Sequence, residues 1–433
     1  MRTKKAFLVI VLIGVAVLFI FGNSVAAVRA NNIRVATITG TPTSEVSHFE
    51  LNDSPEFKEI EDVIYDYFEI RYLAFSNLQL DDFRRIVSRK SNAQTFLDTE
   101  LGKLSVEIKH AELNHLKYMD SQYFLDLRDI TVDASSQEAT VIVTESHDVI
   151  FEISKKFNPE NPIRSHMYNL EHTIVLNKEQ DQWKIVSDGY EDDLWRIIRQ
   201  TGMSTENMLH AMEESSSPMQ PSADIQTDPL CTLDADDSIH AYDRDGAVQY
   251  AHDYANSRNP NYYDFTEDCA NFVSQAVYEG GNASMAYCEP NVDPYCPENG
   301  GSTSGWYYTD INHRAFAWSG VSELYDFILD SGNDWDEGPE GCEVSQNQAE
   351  PGDIIKYDWE NDGEWDHAVI IVQSEDDEQG NRMHWIASHT DDHDNYPFTY
   401  YNIHPDMIYR FVHIERINIS ASRGFNTDGI LLQ

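Results

Sequence analysis

Apolar residues in the N-terminal half recur first at helical spacing and then in strand-like runs. Helical spacing is found at Phe57, Ile60, Val63, Ile64 and Tyr67, and again at Phe83, Ile86 and Val87. Runs rich in β-branched and aromatic residues follow, separated by turn residues, at 123–132, 139–150, 168–176 and 183–186. Helices followed by such strands predict an α+β domain with a curved antiparallel sheet over residues 45–205.

The C-terminal half shows the same mixture of periods. A helix is predicted from Ala247, and a second from Cys269, whose apolar positions recur at helical spacing until glycines 280 and 281 end it. Residues 351–374 read as strand, acidic turn and strand, with His367 opening the second strand, and the next strand ends at His389. We therefore predict a second α+β domain over residues 241–420.

Residues 206–240 lack periodicity and are rich in Ser, Pro and Asp, which predicts a linker between the two domains. The beginning of the chain has a different pattern. Three basic residues among the first five precede an apolar run at 6–22, and small residues follow at 25–27. This order predicts a signal peptide over residues 1–30, cleaved near Ala26 or Ala30. A retained anchor is the alternative, because the run is only a little shorter than the ~20 residues that span a bilayer.

The net charge limits the possible partners, and the cysteine content agrees with a protein that acts outside the cell. The 433 residues include 75 acidic and 30 basic side chains, a net charge of −45, so we expect no nucleic-acid partner. Five cysteines leave one thiol over if the others pair. A local disulfide between Cys288 and Cys296 would leave Cys231 and Cys342 for a second, although sequence does not fix connectivity. No cysteine or histidine spacing supplies four zinc ligands, so no metal site is assigned.

Cys269 is the candidate nucleophile. At the first turn of a helix, free amides and the helix dipole favour a thiolate and are predicted to lower the thiol pKa. Asp268 would oppose this if it faced the sulfur, so we expect it to cap the helix or point outward. His367, at the head of a buried strand, would then act as general base. A buried structural cysteine is the plainer interpretation of Cys269 alone.

His389 is the candidate third residue, which would orient the ring of His367. Asp391 and Asp392 remain alternatives, because a carboxylate performs the same task. Two further patterns have structural explanations. Asp358, Glu360, Asp362 and Gly363 follow part of a calcium-loop pattern, but the twelfth position is a valine, which favours a solvated turn. The aromatic residues between 306 and 325 are expected in the core rather than in a binding cleft.

The C-terminal motifs resemble a known family. DCANFVSQAVYEGG, PGDIIKYDWENDGEWDHAVIIV and SHTDDHDNYPF, in this order, are similar to the putative amidase domain of secreted bacterial proteins. That family is related to the NlpC-like and CHAP cell-wall peptidases, which implies a papain-like thiol hydrolase fold. The resemblance implies Cys269 as nucleophile, His367 as base and His389 as the third polar group. It does not extend to the N-terminal half, whose element order resembles the small cone fold of SnoaL-like domains.

These observations predict a secreted, cysteine-dependent amidase or peptidase that forms a thioester and needs no cofactor. Peptidoglycan peptides are the expected substrate by analogy, and other extracellular peptides remain open. A catalytically inactive module that binds cell-wall peptides is the alternative. The N-terminal domain shows no converging catalytic residues, so a spacer, ligand-binding or dimerising role is expected there.

Overall fold

A computed structural model describes residues 26–29, 33–38, 54–80, 83–133, 135, 137–214, 242–288, 302–329 and 337–418. The helices are α1 (Pro55–Asn77), α2 (Ser91–Leu113), α3 (Glu152–Phe157), α4 (Asp193–Thr201), α5 (Thr205–Glu214), α6 (Arg244–Tyr254), α7 (Cys269–Gln275), α8 (Phe316–Ser319) and α9 (Val321–Leu329). The strands of the N-terminal half are β1 (Ala26–Arg29), β2 (Ile33–Ile38), β3 (Tyr118–Asp133), β4 (Glu138–Phe151), β5 (Ser165–Glu179) and β6 (Gln182–Gly189). Those of the C-terminal half are β7 (Tyr308–Asp310), β8 (His313–Arg314), β9 (Gly338–Val344), β10 (Ile354–Asp358), β11 (His367–Asp376), β12 (Arg382–Ser388), β13 (Asp392–Pro397) and β14 (Ile408–Asn418). The α+β class predicted from the sequence is confirmed.

The two halves share one antiparallel sheet. Its main path runs β1-β3-β4-β5-β13-β12-β11-β10-β14-β9, with β2 on β3 and β6 on β5. The halves join where β13 pairs with β5, with Asp392 opposite Tyr168 and Asp394 opposite His166. Backbone hydrogen bonds therefore cross from one half to the other.

In the N-terminal half, α1 and the four long strands β3 to β6 form where the apolar pattern predicts them. Ile60, Ile64 and Phe68 of α1 pack in one core with Val141 of β4 and Ile174 of β5. The helix predicted around residues 83–87 is wrong. It is a single 3-10 turn, Phe83–Arg85, after which the backbone of residues 86–88 hydrogen-bonds Ile185 at the edge of β6.

The beginning of the predicted linker is also helical. Helix α5 occupies 205–214, and Met208 and Met212 are buried against the core of the neighbouring elements. Two buried methionines four residues apart hold this segment on the protein, so the linker prediction is wrong for these residues. Residues 215–241 lie outside the described part, as does nearly all of the predicted signal peptide. None of the described helices is long and apolar enough to cross a membrane.

In the C-terminal half the central sheet is buried on both faces. One face carries Ala368, Ile370 and Val372 of β11 and is covered by α6, α7 and α9. The opposite face carries Val369 and Ile371 and is covered largely by aromatic side chains. Because side chains alternate along a strand, a single step along β11 moves a side chain from the helix face to the aromatic face.

Candidate active site

Cys269 is the first residue of α7, as predicted. The helix starts with the amide of Phe272 bonded to the carbonyl of Asp268 at 2.9 Å. The thiol is free and the residue is only 5% exposed. Cys288 and Cys342 are each in a disulfide. Cys231 and Cys296 lie outside the described residues, so the two pairings remain predictions.

Burial dominates the chemistry of the Cys269 sulfur. It raises the thiol pKa to about 11, and the negative charges of Asp268 and Glu267 add to the effect. The backbone amides of Ala270 and Ala368 donate hydrogen bonds to the sulfur and act in the opposite direction, but they do not compensate for the lost hydration. The expectation of a lowered pKa is therefore wrong for this closed arrangement, in which Cys269 is a protonated thiol at neutral pH.

Asp268 neither caps α7 nor points outward, contrary to our expectation. Its side chain is 1% exposed and accepts hydrogen bonds from the amide of Phe265 at 3.2 Å and from the Asn271 side chain at 2.7 Å. The second carboxylate oxygen lies 2.7 Å from Nδ1 of His389 and 3.8 Å from Nε of Arg258. A buried carboxylate needs such partners, and these fix it beside the candidate nucleophile.

His389 follows the last residue of β12 and is held from three sides. Its Nδ1 faces Asp268, and its Nε2 lies 2.8 Å from the carbonyl oxygen of Tyr254. The ring stacks on Phe272 of α7 with centroids 3.9 Å apart. Both ring nitrogens thus face oxygen acceptors. The structure brings His389 to the residue directly before Cys269, and its contacts are with these three residues rather than with His367.

His367 opens β11, as predicted, but its ring lies on the aromatic face of the sheet. The ring centroid is 4.7 Å from that of Tyr401 and 6.2 Å from that of Tyr357. Burial lowers the pKa of His367 to about 3, so the ring is neutral, and within the described residues its Nε2 has no hydrogen-bond partner. The Cys269 sulfur instead meets the amide of Ala368, the next residue along the strand.

The alternatives for the third residue, Asp391 and Asp392, bind arginines. Asp391 accepts a hydrogen bond from Nη2 of Arg196 at 3.1 Å, and Asp392 accepts one from Nη2 of Arg258 at 2.8 Å. Between His389 and Asp391, the backbone of Thr390 has a φ of 88°, which is rare for a β-branched residue. Its hydroxyl accepts a hydrogen bond from the amide of Asp268 at 3.0 Å.

A cleft of about 390 Å³ lies beside this segment. It is lined by residues of β5 and α4 from the N-terminal half and, from the C-terminal half, by Arg258 and residues 390–392. Sequence reasoning missed Arg196 and Arg258 as site residues. Nothing in their local pattern marks them, because each acts on a carboxylate more than a hundred residues away.

Polar side chains also organise the rest of the site. The indole nitrogens of Trp306 and Trp318 donate to Ser274 at 3.0 Å and to Asn271 at 2.8 Å, both on α7. Both tryptophans are 0% exposed, which confirms that they belong to the core. These bonds fix the rotation of α7 and hence the direction of the Cys269 side chain.

The acidic turn before β11 contains a group that could hold a metal ion, Asp358, Glu360 and Asp366, with oxygens within 4.8 Å of one another. The carboxylate of Asp358 accepts hydrogen bonds from the backbone amides of Asp362 at 3.2 Å and Gly363 at 2.9 Å. These bonds are those expected of a turn organised by an aspartate, in line with the sequence interpretation.

Comparison with known proteins places this site in a family context. Residues 241–412 match the model of the family described as "Putative amidase domain". The matched segment contains Cys269, His367 and His389. The uncharacterized protein YhbB of Bacillus subtilis (strain 168) is 33% identical over 132 residues, which is 30% of this chain and 37% of that protein. No solved structure matches the chain. The family match covers only the C-terminal half and leaves the N-terminal half unassigned.

Proposed function

We propose that this chain is a secreted cysteine amidase or peptidase with a papain-like C-terminal domain and a cone-like N-terminal domain, and that it hydrolyses amide bonds of peptidoglycan peptides. One observation carries the proposal. Cys269, the free cysteine of the described part, is the first residue of a helix and lies inside the segment that matches an amidase family. Its sulfur accepts hydrogen bonds from two backbone amides.

In the proposed reaction, the Cys269 sulfur gives its proton to His367 and attacks the amide carbonyl carbon. Backbone amides at the start of α7 hold the oxyanion. The C–N bond breaks as the imidazolium returns the proton to the leaving amine, which leaves a thioester. Water then attacks the thioester with His367 again as base, releasing the carboxylic acid and the thiol.

His367 is the base in this proposal because its ring is neutral and its Nε2 has no hydrogen-bond partner among the described residues. Burial lowers its pKa to about 3, so the ring must gain proton affinity in the reactive arrangement. Both nitrogens of His389 already face acceptors, so His389 suits a positioning role, with Asp268 as its partner. The His367 ring lies on the face of the sheet opposite the one that α7 covers, so the proposed reaction requires the start of β11 to rearrange until the ring reaches the Cys269 sulfur.

The test incubates purified full chain with muropeptides of defined sequence and identifies new termini by mass spectrometry. We expect the wild type to cleave, and Cys269→Ala and His367→Ala to lose turnover with unchanged circular dichroism. His384→Gln is the matched control, since His384 is equally buried on β12 but bonds Ser374 and the backbone of Gln346. Equal turnover by wild type and Cys269→Ala would refute the nucleophile.

The second candidate is an inactive module that binds cell-wall peptides without cleaving them. The high pKa of the Cys269 thiol favours it, because a protonated thiol is a poor nucleophile. Binding of muropeptides without cleavage, retained in Cys269→Ala, would establish this alternative.

A further inference from the structure

Residues 388–392, which we call the histidine loop, connect β12 to β13 and carry His389. Toward the nucleophile, the loop holds Asp268 twice. The His389 ring binds the carboxylate at 2.7 Å, and the Thr390 hydroxyl binds the amide at 3.0 Å. The geometry of the candidate site therefore depends on where this loop lies.

The loop is held from its other side by α4 of the N-terminal half. One oxygen of the Asp391 carboxylate accepts a hydrogen bond from the backbone amide of Asp193 at 2.5 Å. The other oxygen accepts one from Nη2 of Arg196 at 3.1 Å. Nη1 of Arg196 also binds the Asp193 side chain at 3.0 Å. All three residues are less than a tenth exposed, and burial strengthens such bonds.

The charges of this contact make Arg196 its central member. Asp391 of the loop meets Asp193 at the start of α4, and burial raises the pKa of both acids, with the charge of Asp193 adding to the effect on Asp391. The Arg196 guanidinium binds one oxygen of each. Without that cation, the two acids would lose the positive charge that both of them contact, which would weaken the hold of α4 on the histidine loop.

The backbone of the histidine loop is strained at Thr390. Thr390 has a φ of 88°, a conformation that costs a β-branched residue free energy and persists only where its surroundings impose it. Asp268 binds the ring of His389 and the hydroxyl of Thr390. On the other side, α4 binds Asp391, and Asp392 pairs with β5. Release from either side would let the strained backbone relax and move His389.

We propose that the N-terminal half completes the amidase site, with Arg196 as a positioning residue that fixes the histidine loop, and so His389, through Asp391. The proposal rests on the proposed function for its catalytic meaning. It assigns a role to a segment outside the amidase-family match. Arg196 touches no reacting atom and acts only through the loop.

The test compares Arg196→Met, Arg196→Lys and Asp391→Asn with the matched control Arg199→Met. Arg199 lies one turn further along α4 and binds Glu191 at the surface. On the muropeptide that the wild type cleaves, we expect kcat of Arg196→Met to fall by about 10- to 100-fold with KM within about twofold, because misplaced catalytic groups cost rate rather than binding. Arg196→Lys should recover part of the loss, and Arg199→Met should equal wild type.

Hydrogen–deuterium exchange of the peptide that contains the histidine loop gives a readout that needs no activity. We expect exchange there to be about tenfold faster in Arg196→Met and Asp391→Asn than in wild type and Arg199→Met. If Arg196→Met does not fold, Asp391→Asn, which keeps the size of the side chain, decides the matter. Unchanged loop exchange in Asp391→Asn overturns the inference. So does a kcat of Arg196→Met that equals the kcat of Arg199→Met. A wild type without turnover but with the expected exchange overturns the proposed function alone.

Discussion

Nδ1 of His389 donates a hydrogen bond to the carboxylate of Asp268 at 2.7 Å, and Asp268 immediately precedes the candidate nucleophile. The pair is buried, so turning the ring of His389 would remove one of the partners of a buried carboxylate. The residue before the cysteine thereby connects α7 to the end of β12. This relationship motivates the first prediction.

Asp268→Asn should weaken the hold on His389 and reduce turnover by about 10- to 100-fold, since the amide is a weaker acceptor than the carboxylate. Breaking one partner of a buried pair should also lower the free energy of unfolding by about 3 kcal/mol. Steady-state kinetics and urea unfolding measure the two effects. Asp264→Asn, which removes only a surface partner of Arg258, serves as control. Identical kinetics in both variants would contradict the positioning role.

Alkylation of Cys269 should be slow at neutral pH. With a thiol pKa of about 11, the reactive thiolate increases about tenfold per pH unit up to that value. Iodoacetamide labelling rates at pH 7, 8 and 9, followed by mass spectrometry of the Cys269 peptide, test this dependence. A rate that levels off near pH 7 would instead indicate a thiolate already stabilised in the free protein.

The stability of the protein should fall on mild acidification. His147 bridges Tyr72 at 2.7 Å and Tyr396 at 2.5 Å between the two halves, and burial lowers its pKa to about 4. Below pH 6.5, His147 is protonated in the unfolded chain but stays neutral in the folded protein. The free energy of unfolding therefore decreases from pH 6.5 toward pH 4, by about 3 kcal/mol for this residue. Urea unfolding at pH 7, 6, 5 and 4 measures it. His147→Gln should show a shallower slope over this range, and an unchanged slope would count against the assignment.

Lys356 should destabilise the fold at neutral pH. It is 1% exposed, its Nζ has no hydrogen-bond partner among the described residues, and burial lowers its pKa to about 5. In the unfolded chain, Lys356 has its ordinary pKa of 10.5 and is protonated at pH 7, whereas in the folded chain it is neutral at that pH. The residue therefore lowers the free energy of unfolding at pH 7. Lys356→Met, similar in length and apolar, should raise the free energy of unfolding by about 1–4 kcal/mol. A loss of stability in thermal and urea unfolding would show that the ammonium contributes favourably.

Much of the fold follows from apolar periodicity. The long strands β3 to β6, the helix α1 and the start of α7 at Cys269 all lie where the pattern predicts them. Helix α2 was not predicted, although Leu97, Leu104 and Ile108 recur at helical spacing and are buried. Its buried face also includes Glu100 and Lys103, which are satisfied by ion pairs. A pattern of apolar residues cannot reveal a face buried through paired charges.

The candidate site was predictable only in part. The family motifs made Cys269, His367 and His389 the candidates, but they did not indicate the face of the sheet to which each side chain points. His367 and Ala368 are adjacent, and the alternation of β11 sends one to the aromatic face and the other to the helix face. The thiol pKa was predicted in the wrong direction because a helix start is visible in sequence, whereas burial is a property of the packed structure.

The pairing of β5 with β13 has a practical consequence for anyone who dissects this chain. A fragment beginning near residue 241 would present β13 with a row of bare backbone donors and acceptors, since its neighbour would be missing. Such an edge recruits other strands, including a second copy of itself. A truncated product would therefore tend to aggregate, and failure of that piece to act would say little about the intact protein.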